Sequence, residues 1–412
     1  MAVHFDALET RDPAARERSL FRRLPKFLAA ASAACPGWRK RLRRLDLKRM
    51  NSRGALAAIP VLRKGELMEA QASSPPFGGF ANPAMLDGAR YFMSPGPVWE
   101  PQTGDGSVWG GARAFHAAGI GKGDLVHCAI SYHMTPGGMM LDAGARAAGA
   151  RVFPAGVGNT EAQVDAAARL RPSAYAGTPD FLKIMLDSAG GRDLSSIRKA
   201  LVSGGALFPS LRDEYSARGV RVLQCYATAD LGVIAYESLF RGKPAPGMIV
   251  NEDLFVEVVR PGTDEPVAEG EVGELVVTNF NAAYPLIRFG TGDLSSILPG
   301  PSPCGRTNLR IAGWLGRADQ RTKVKGMFVD PKQIEAVRKA FPQIGRARLV
   351  VSRDGDRDAM TLKVAAENGA VLDAGRIAAA LEAETHLKGA VEIVQGLPND
   401  GKVIEDARDY ST

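Results

Sequence analysis

Between residues 105 and 240 the chain alternates short apolar runs with stretches of helical period. The runs LVHCAISY (125–132), RVFPAG (151–156), SAYAG (173–177), KALVSGG (199–205) and VRVLQCYA (220–227) have strand length. Stretches 105–119, 137–148, 160–170 and 179–188 repeat their apolar residues every three or four positions and predict helices. Strands that alternate with helices imply a mostly parallel sheet covered on both faces. After residue 248 the pattern shifts to apolar–polar alternation broken by Pro-Gly and Glu-Gly, which predicts antiparallel hairpins. Beyond Gly316 a smaller unit follows: helix 331–341, strands 347–353 and 359–367, helix 374–386 and strand 390–396. Upstream, residues 13–50 read as helical with a break at Pro36-Gly37, IPVLRKGEL (59–67) leads into another helix, and 71–90 is a loop rich in Ser, Pro, Gly and Asn. The expected fold class is therefore α/β. A large domain (1–316) combines mostly parallel sheets with an antiparallel hairpin subdomain, and a small α+β domain occupies 317–412.

Composition adds limits. A chain of 412 residues is long for a single core, which agrees with two domains. No apolar run reaches membrane-spanning length, and the first residues lack the apolar stretch of a secretory signal, so a cytoplasmic location is expected. Cys35, Cys128, Cys225 and Cys304 lie far apart and read as reduced thiols, not as a metal-binding set. The five histidines, equally scattered, form no metal motif. Net charge is +7, and seven basic residues fall within 39–49, from Arg39 to Arg49. Such a run is more often a solvated helix face than a nucleic-acid or anionic-membrane surface, and no nucleic-acid motif follows it. Neither a nucleic acid nor a membrane is an expected partner. A twofold homodimer is the default assembly.

The chemistry sits further along. Residues 282–297 read AAYPLIRFGTGDLSSI, and 304–335 read CGRTNLRIAGWLGRADQRTKVKGMFVDPKQIE. SGGALFPSLR (203–212) and CYATADLG (225–232) precede them, and LPNDGK (397–402) closes the series. In order and spacing these segments resemble the phenylacetate–CoA ligase family of adenylate-forming enzymes. The matching positions are Pro285 to Arg288, Gly292, Asp293, Cys304 to Thr307, Gly316, Arg317, Asp319, Gly326, Pro331 and Gln333 to Glu335. The resemblance implies ATP, Mg2+ and CoA as cofactors and a small carboxylic acid, aryl or similar, as substrate. An acyl-adenylate forms first, and the acyl group then passes to a thiol.

The same resemblance assigns roles. Asp293 would accept hydrogen bonds from the ribose hydroxyls, and Arg317 would add donors to the nucleotide. Gly205 and Ala206 would let adenine lie against backbone, with Tyr226 stacked on it and Ala227 beside it. Asp230 would be the magnesium ligand. Asp319 would be the hinge of a mobile small domain, Gly326 would let CoA pass close to the backbone, and Lys402 would reach the α-phosphate on closure. Tyr132 and His133 follow a strand in the region that lines the acyl pocket, and Asn159-Thr160 would cap the helix after the next strand.

Two departures stand out. The family's phosphate loop, SSGTTGxP, is replaced by Ser94-Pro95-Gly96-Pro97-Val98-Trp99-Glu100-Pro101, in which Ser94 and Gly96 persist but two prolines remove amide donors. The family's Thr-Glu is Ala229-Asp230, with a side chain one methylene shorter. Some members carry a zinc-like Cys/His cluster whose positions here are Ser238, Met248 and Cys304, so no zinc is expected. A working ligase and a repurposed member that binds or transfers an acyl or CoA ligand without adenylation both remain open.

Overall fold

A computed structural model describes residues 4–94, 97–318, 320, 322–354, 357–367, 370–397 and 403–408. The first long helix, Pro13–Ala34, opens on Asp12, whose carboxylate accepts the Ala15 amide, with Pro13 where no amide partner is required. Leu20, Phe21, Leu24, Leu28 and Ala31 fall on one face and are buried. The break falls at Cys35, and a second helix, Pro36–Leu42, follows. Its basic end is partly tied down: Arg39 donates to the Ser32 and Ala33 carbonyls, and Arg41 pairs with Glu66.

The described residues cluster into two compact units, 1–315 and 316–412. In the larger unit a nine-stranded sheet runs Ile297–Leu298, Arg310–Ile311, Met248–Val250, Gly232–Tyr236, Arg221–Thr228, Lys199–Val202, Ala174–Gly177, Leu125–Ala129, Arg151–Pro154. The five strands from Arg221–Thr228 to Arg151–Pro154 are parallel, joined by helices as the alternation predicts. From Gly232–Tyr236 onward the pairing turns antiparallel. A second sheet of four strands orders Leu62–Arg63, Phe289–Ser295, Gly273–Thr278 and Phe255–Val259. Leu62–Arg63 is its one parallel partner, so the segment 59–67 enters as a sheet edge before the helix Lys64–Ser73.

The helix expected over 105–119 is shorter than its pattern suggests. A 3-10 turn, Ser107–Trp109, is flanked by Gly106 and Gly110 at φ 85° and 68°, and the α-helix covers Ala112–Ala117 alone. Left-handed residues on both sides stop the helix from running through. Gly232 is required for a different reason. A Cβ there would lie 2.6 Å from the Cα of Trp109, so the strand and the turn meet only without a side chain.

Buried charge joins distant segments of this unit. Arg16 pairs with Glu252 at 3.1 Å, and Glu9 accepts from Arg306 at 2.5 Å and from the Tyr236 hydroxyl at 2.6 Å. Each is a charged group kept in the interior by a partner, because an unpaired buried charge is costly.

The smaller unit holds the sheet Ala390–Val394, Arg357–Ala366, Ile344–Asp354, Ile404–Asp406 with helices Pro331–Ala340 and Ala374–Thr385. Its core is Val324, Val329, Ile334, Val337, Leu349, Val351, Leu362, Val364, Ile377 and Leu381. Asp330 and Gln333 form a reciprocal capping box at the start of the first helix. The α/β class, with parallel and antiparallel sheets followed by a small α+β unit, is thus the observed architecture.

Candidate active site

The strand Arg221–Thr228 carries Tyr226 and Ala227 toward its C-terminal end, where parallel α/β sheets place ligands. Asp293 belongs to the adjacent subdomain and lies inside the strand Phe289–Ser295, not in the tight turn that Thr-Gly-Asp suggests. Gly292 at φ 73° interrupts the ladder, and the register with Gly273–Thr278 shifts there. The Thr291 hydroxyl donates to the Leu275 carbonyl and accepts the Asp293 amide at 3.1 Å, which fixes the carboxylate's direction. Asp293 Oδ2 accepts the Tyr226 hydroxyl at 2.7 Å, and Oδ1 accepts Trp314 Nε1–H at 3.0 Å. These two bonds, one to each carboxylate oxygen, orient Asp293. Tyr226 thus donates to Asp293, a contact its sequence pattern did not suggest. Gly205 and Ala206 follow the neighbouring strand Lys199–Val202, which pairs in parallel with Arg221–Thr228.

The segment expected to hold phosphates is a β-hairpin. Arg90–Ser94 pairs with Val98–Gln102, and Ser94 faces Val98 across the turn. Gly96 lies outside the described residues. The Gln71 amide grips the hairpin: its Nε2 donates to the Trp99 carbonyl at 2.8 Å and its Oε1 accepts the Trp99 amide at 2.9 Å. The Met93 amide donates to the Met134 carbonyl. Ser94 is buried, and its hydroxyl donates to Glu100 Oε1 at 2.6 Å.

Glu100 faces a cleft lined by Gln102, Trp109, Asp230, Asn279, Asn281 and Tyr284, among others. Asp230 pairs with Lys64, Nζ to Oδ2 at 3.3 Å. Burial, and then the Asp230 charge beside it, push the Glu100 carboxyl from 4.5 up to about 9. A raised acid pKa means that its contribution to stability is complete below about pH 4.5 and is lost as pH rises through about 9. Glu100→Gln, which mimics the protonated acid, is expected to match the wild-type melting temperature near pH 5. It should exceed it by a growing margin toward about pH 9, each kcal/mol counting for a few degrees. Thermal melts across that range would show it, and parallel curves would refute it.

Other candidates lie apart from this cleft. The Tyr132 hydroxyl donates to Asp142 at 3.2 Å, with burial raising its pKa, and His133 is exposed. Neither lines the cleft. Asn159 takes a left-handed conformation and makes no side-chain cap, because its side chain does not reach the helix amides. In the smaller unit the Arg317 guanidinium lies over the Phe328 ring at 5.9 Å. Gly326, with Lys325, forms a hairpin tip at positive φ and is exposed. Asp319 and Lys402 lie outside the described residues. The Cys304 thiol meets Ser238 at 3.2 Å and Ser302 at 3.0 Å, hydroxyl partners that suit zinc poorly. Among the described residues no group of three or more His, Cys, Asp or Glu side chains could hold a metal ion, and no helix is long and apolar enough to cross a membrane.

The AMP-binding enzyme family model matches residues 118–283. The chain is 32% identical to a phenylacetate-coenzyme A ligase of Thermus thermophilus, over 83% of this chain and 79% of that protein. It is 31% identical to the Escherichia coli phenylacetate-coenzyme A ligase, over 70% and 69%. The chain belongs to the phenylacetate–CoA ligase family. The backbone of a 2-hydroxyisobutyryl-CoA ligase superposes with a TM-score of 0.81 at 23% identity, covering 99% of this chain and 93% of that one, which shows the fold.

Within that family frame, the sequence missed Lys64, Gln71, Glu100 and Trp314. Lys64 ends the IPVLRK segment and Trp314 lies between Gly313 and Gly316, yet their partners lie 166 and 21 residues away. Glu100 had one visible signal: a lone acid in an apolar run of strand length after a proline turn.

Proposed function

We propose that this family member is an ATP-dependent carboxylic acid ligase. It joins a small acid, aryl or similar, to AMP and passes the acyl group to CoA. The carboxylate oxygen attacks the α-phosphorus and pyrophosphate leaves; the CoA thiolate then attacks the acyl carbon and AMP leaves. The observation that carries this reading is Asp293, a buried carboxylate of the matched motif, oriented by the Tyr226 hydroxyl and the Trp314 indole N–H as a ribose-binding acid requires. Gly205, Ala206 and Ala227 leave room for a base beside it. Arg317 supplies a cation to the nucleotide, Gly326 a close backbone approach for CoA, and Tyr132 and His133 part of the acyl pocket. Lys402 and Asp319 take the roles of α-phosphate cation and hinge of a mobile small domain by their place in the sequence.

Mg2+ fits Asp230, whose Oδ1 is buried without a hydrogen-bond partner. Asp230 would hold the ion, which would supply positive charge beside the phosphates. This chain's own residues orient the nucleotide and exclude water.

The hairpin favours a second reading, a member that binds an acyl or CoA ligand without adenylating. Its second strand, Val98–Gln102, is clamped at Trp99 by Gln71 and turns Glu100 toward the cleft. Titration calorimetry with ATP and Mg2+ separates the two, and acid-dependent pyrophosphate exchange follows. Millimolar ATP binding and exchange with at least one aryl or alkyl acid are the expected results. Absence of ATP binding at that concentration would establish the second reading.

A further inference from the structure

Among the described residues two carboxylate oxygens are buried with no hydrogen-bond partner, Glu100 Oε2 and Asp230 Oδ1. They come from segments 130 positions apart in the chain, and both residues line one cleft. Glu100 is 3% exposed and Asp230 8%, so neither carboxylate lies open to bulk solvent. The other oxygen of each is in use: Glu100 Oε1 takes the Ser94 hydroxyl and Asp230 Oδ2 takes Lys64. Two carboxylates and one ammonium leave an excess of one negative charge in a low-dielectric cleft if both acids ionise. Two such oxygens on neighbouring buried acids are satisfied either by one shared proton or by a cation bound between them.

The geometry points to a divalent-cation site in which Glu100, contributed by the hairpin, is a second ligand beside Asp230. This deepens the ligase reading, on which the identity of the remaining ligands rests; the binding of the cation itself does not. A hard cation takes oxygen ligands, and Mg2+ is commonly held by one or two carboxylates while keeping water and phosphate oxygens in its other positions. A pair without a third acid is therefore sufficient for Mg2+, whereas Ca2+ asks for a fuller oxygen cage. The replacement of a glycine-rich loop then has a chemical sense. Proline at positions 95 and 97 has no amide to offer a phosphate, and Glu100 would supply in exchange a ligand for a cation. It also answers the shortening at Asp230, because the second carboxylate offsets the missing methylene.

The test uses Mn2+ alone with the full chain, followed by the electron paramagnetic resonance signal of the free ion. No nucleotide is present, so a failure of adenylation leaves the outcome unaffected, and calorimetry with ATP judges that reading separately. One site is expected in the wild type. Glu100→Gln and Asp230→Asn should each weaken it about ten-fold or more, as for the loss of a charged ligand. Circular dichroism confirms that the variants fold, and Ser94→Ala, which frees Glu100 Oε1 without removing charge, should retain the site. Unchanged Mn2+ affinity in Glu100→Gln would overturn the proposal. So would a wild type that binds no Mn2+ at millimolar concentration, which would mean that the two oxygens share a proton instead.

Discussion

Arg288→Met is expected to cost about 3–5 kcal/mol of folding stability, enough to leave much of the chain unfolded at physiological temperature. Arg288 is fully buried. Its Nε donates to Glu257 at 3.1 Å, and its terminal nitrogens donate to the carbonyls of Ala57, Ile59 and Asp264 at 2.8, 2.6 and 2.9 Å. One guanidinium thus ties the segment before Leu62 and the loop around Asp264 to the four-stranded sheet. Methionine fills similar volume but leaves three carbonyls without donors and Glu257 buried without its cation. Burial already raises the Glu257 pKa, with Arg288 opposing the shift, so loss of Arg288 should drive Glu257 toward its protonated form. Urea denaturation would measure the loss. A variant within 1 kcal/mol of wild type, as a rough bound on surface substitutions, would show that the network contributes little. Glu257→Gln combined with Arg288→Met should be less destabilised than Arg288→Met alone, because the uncompensated charge is gone.

Asp293→Ala is expected to lower acid-dependent pyrophosphate exchange about 100-fold. The estimate follows from two charge-assisted hydrogen bonds to a ribose, each worth about 1.5–3 kcal/mol, of which about 3 kcal/mol corresponds to a factor of 100. The same substitution removes the acceptor of the Tyr226 hydroxyl and of the Trp314 N–H, so a stability loss of about 1–3 kcal/mol should accompany it. The two effects separate with Tyr226→Phe. That variant removes one donor but keeps the carboxylate, and it should lose less than about ten-fold in exchange on the same hydrogen-bond scale. Equal losses in both variants would mean that Asp293 serves packing and not the nucleotide.

These two residues show how far the sequence reaches. Arg288 and Asp293 belong to one contiguous motif and look alike as matched positions. The fold separates them: Arg288 donates to backbone from two segments and to Glu257, whereas Asp293 accepts side-chain donors from Tyr226 and Trp314. Trp38 adds to the first kind, since its Nε1 donates to the Pro285 carbonyl at 2.8 Å. A motif conveys which residues travel together, but not which of them hold the chain and which face a ligand. Conversely, the candidate residues of the phosphate segment were visible only as departures. Two prolines could be read as lost amides, yet nothing local says that Gln71 grips Trp99 or that Glu100 turns toward Asp230.

The sequence by itself determined the alternation of strands and helices, the shift to antiparallel pairing, the small terminal unit and the family. These follow from local period, turn residues and ordered motifs, which are written within a few tens of residues. Only the tertiary structure decided the partners of the buried charges: Glu9 with Arg306, Arg16 with Glu252, Lys64 with Asp230, Asp293 with Tyr226 and Trp314. A side chain's charge is local information, but the group that compensates it is chosen by which distant segments the folded chain brings within about 3 Å, the reach of a hydrogen bond. For Glu100 and Asp230 that choice left two oxygens facing a cleft without a donor, and no reading of either segment alone could have paired them.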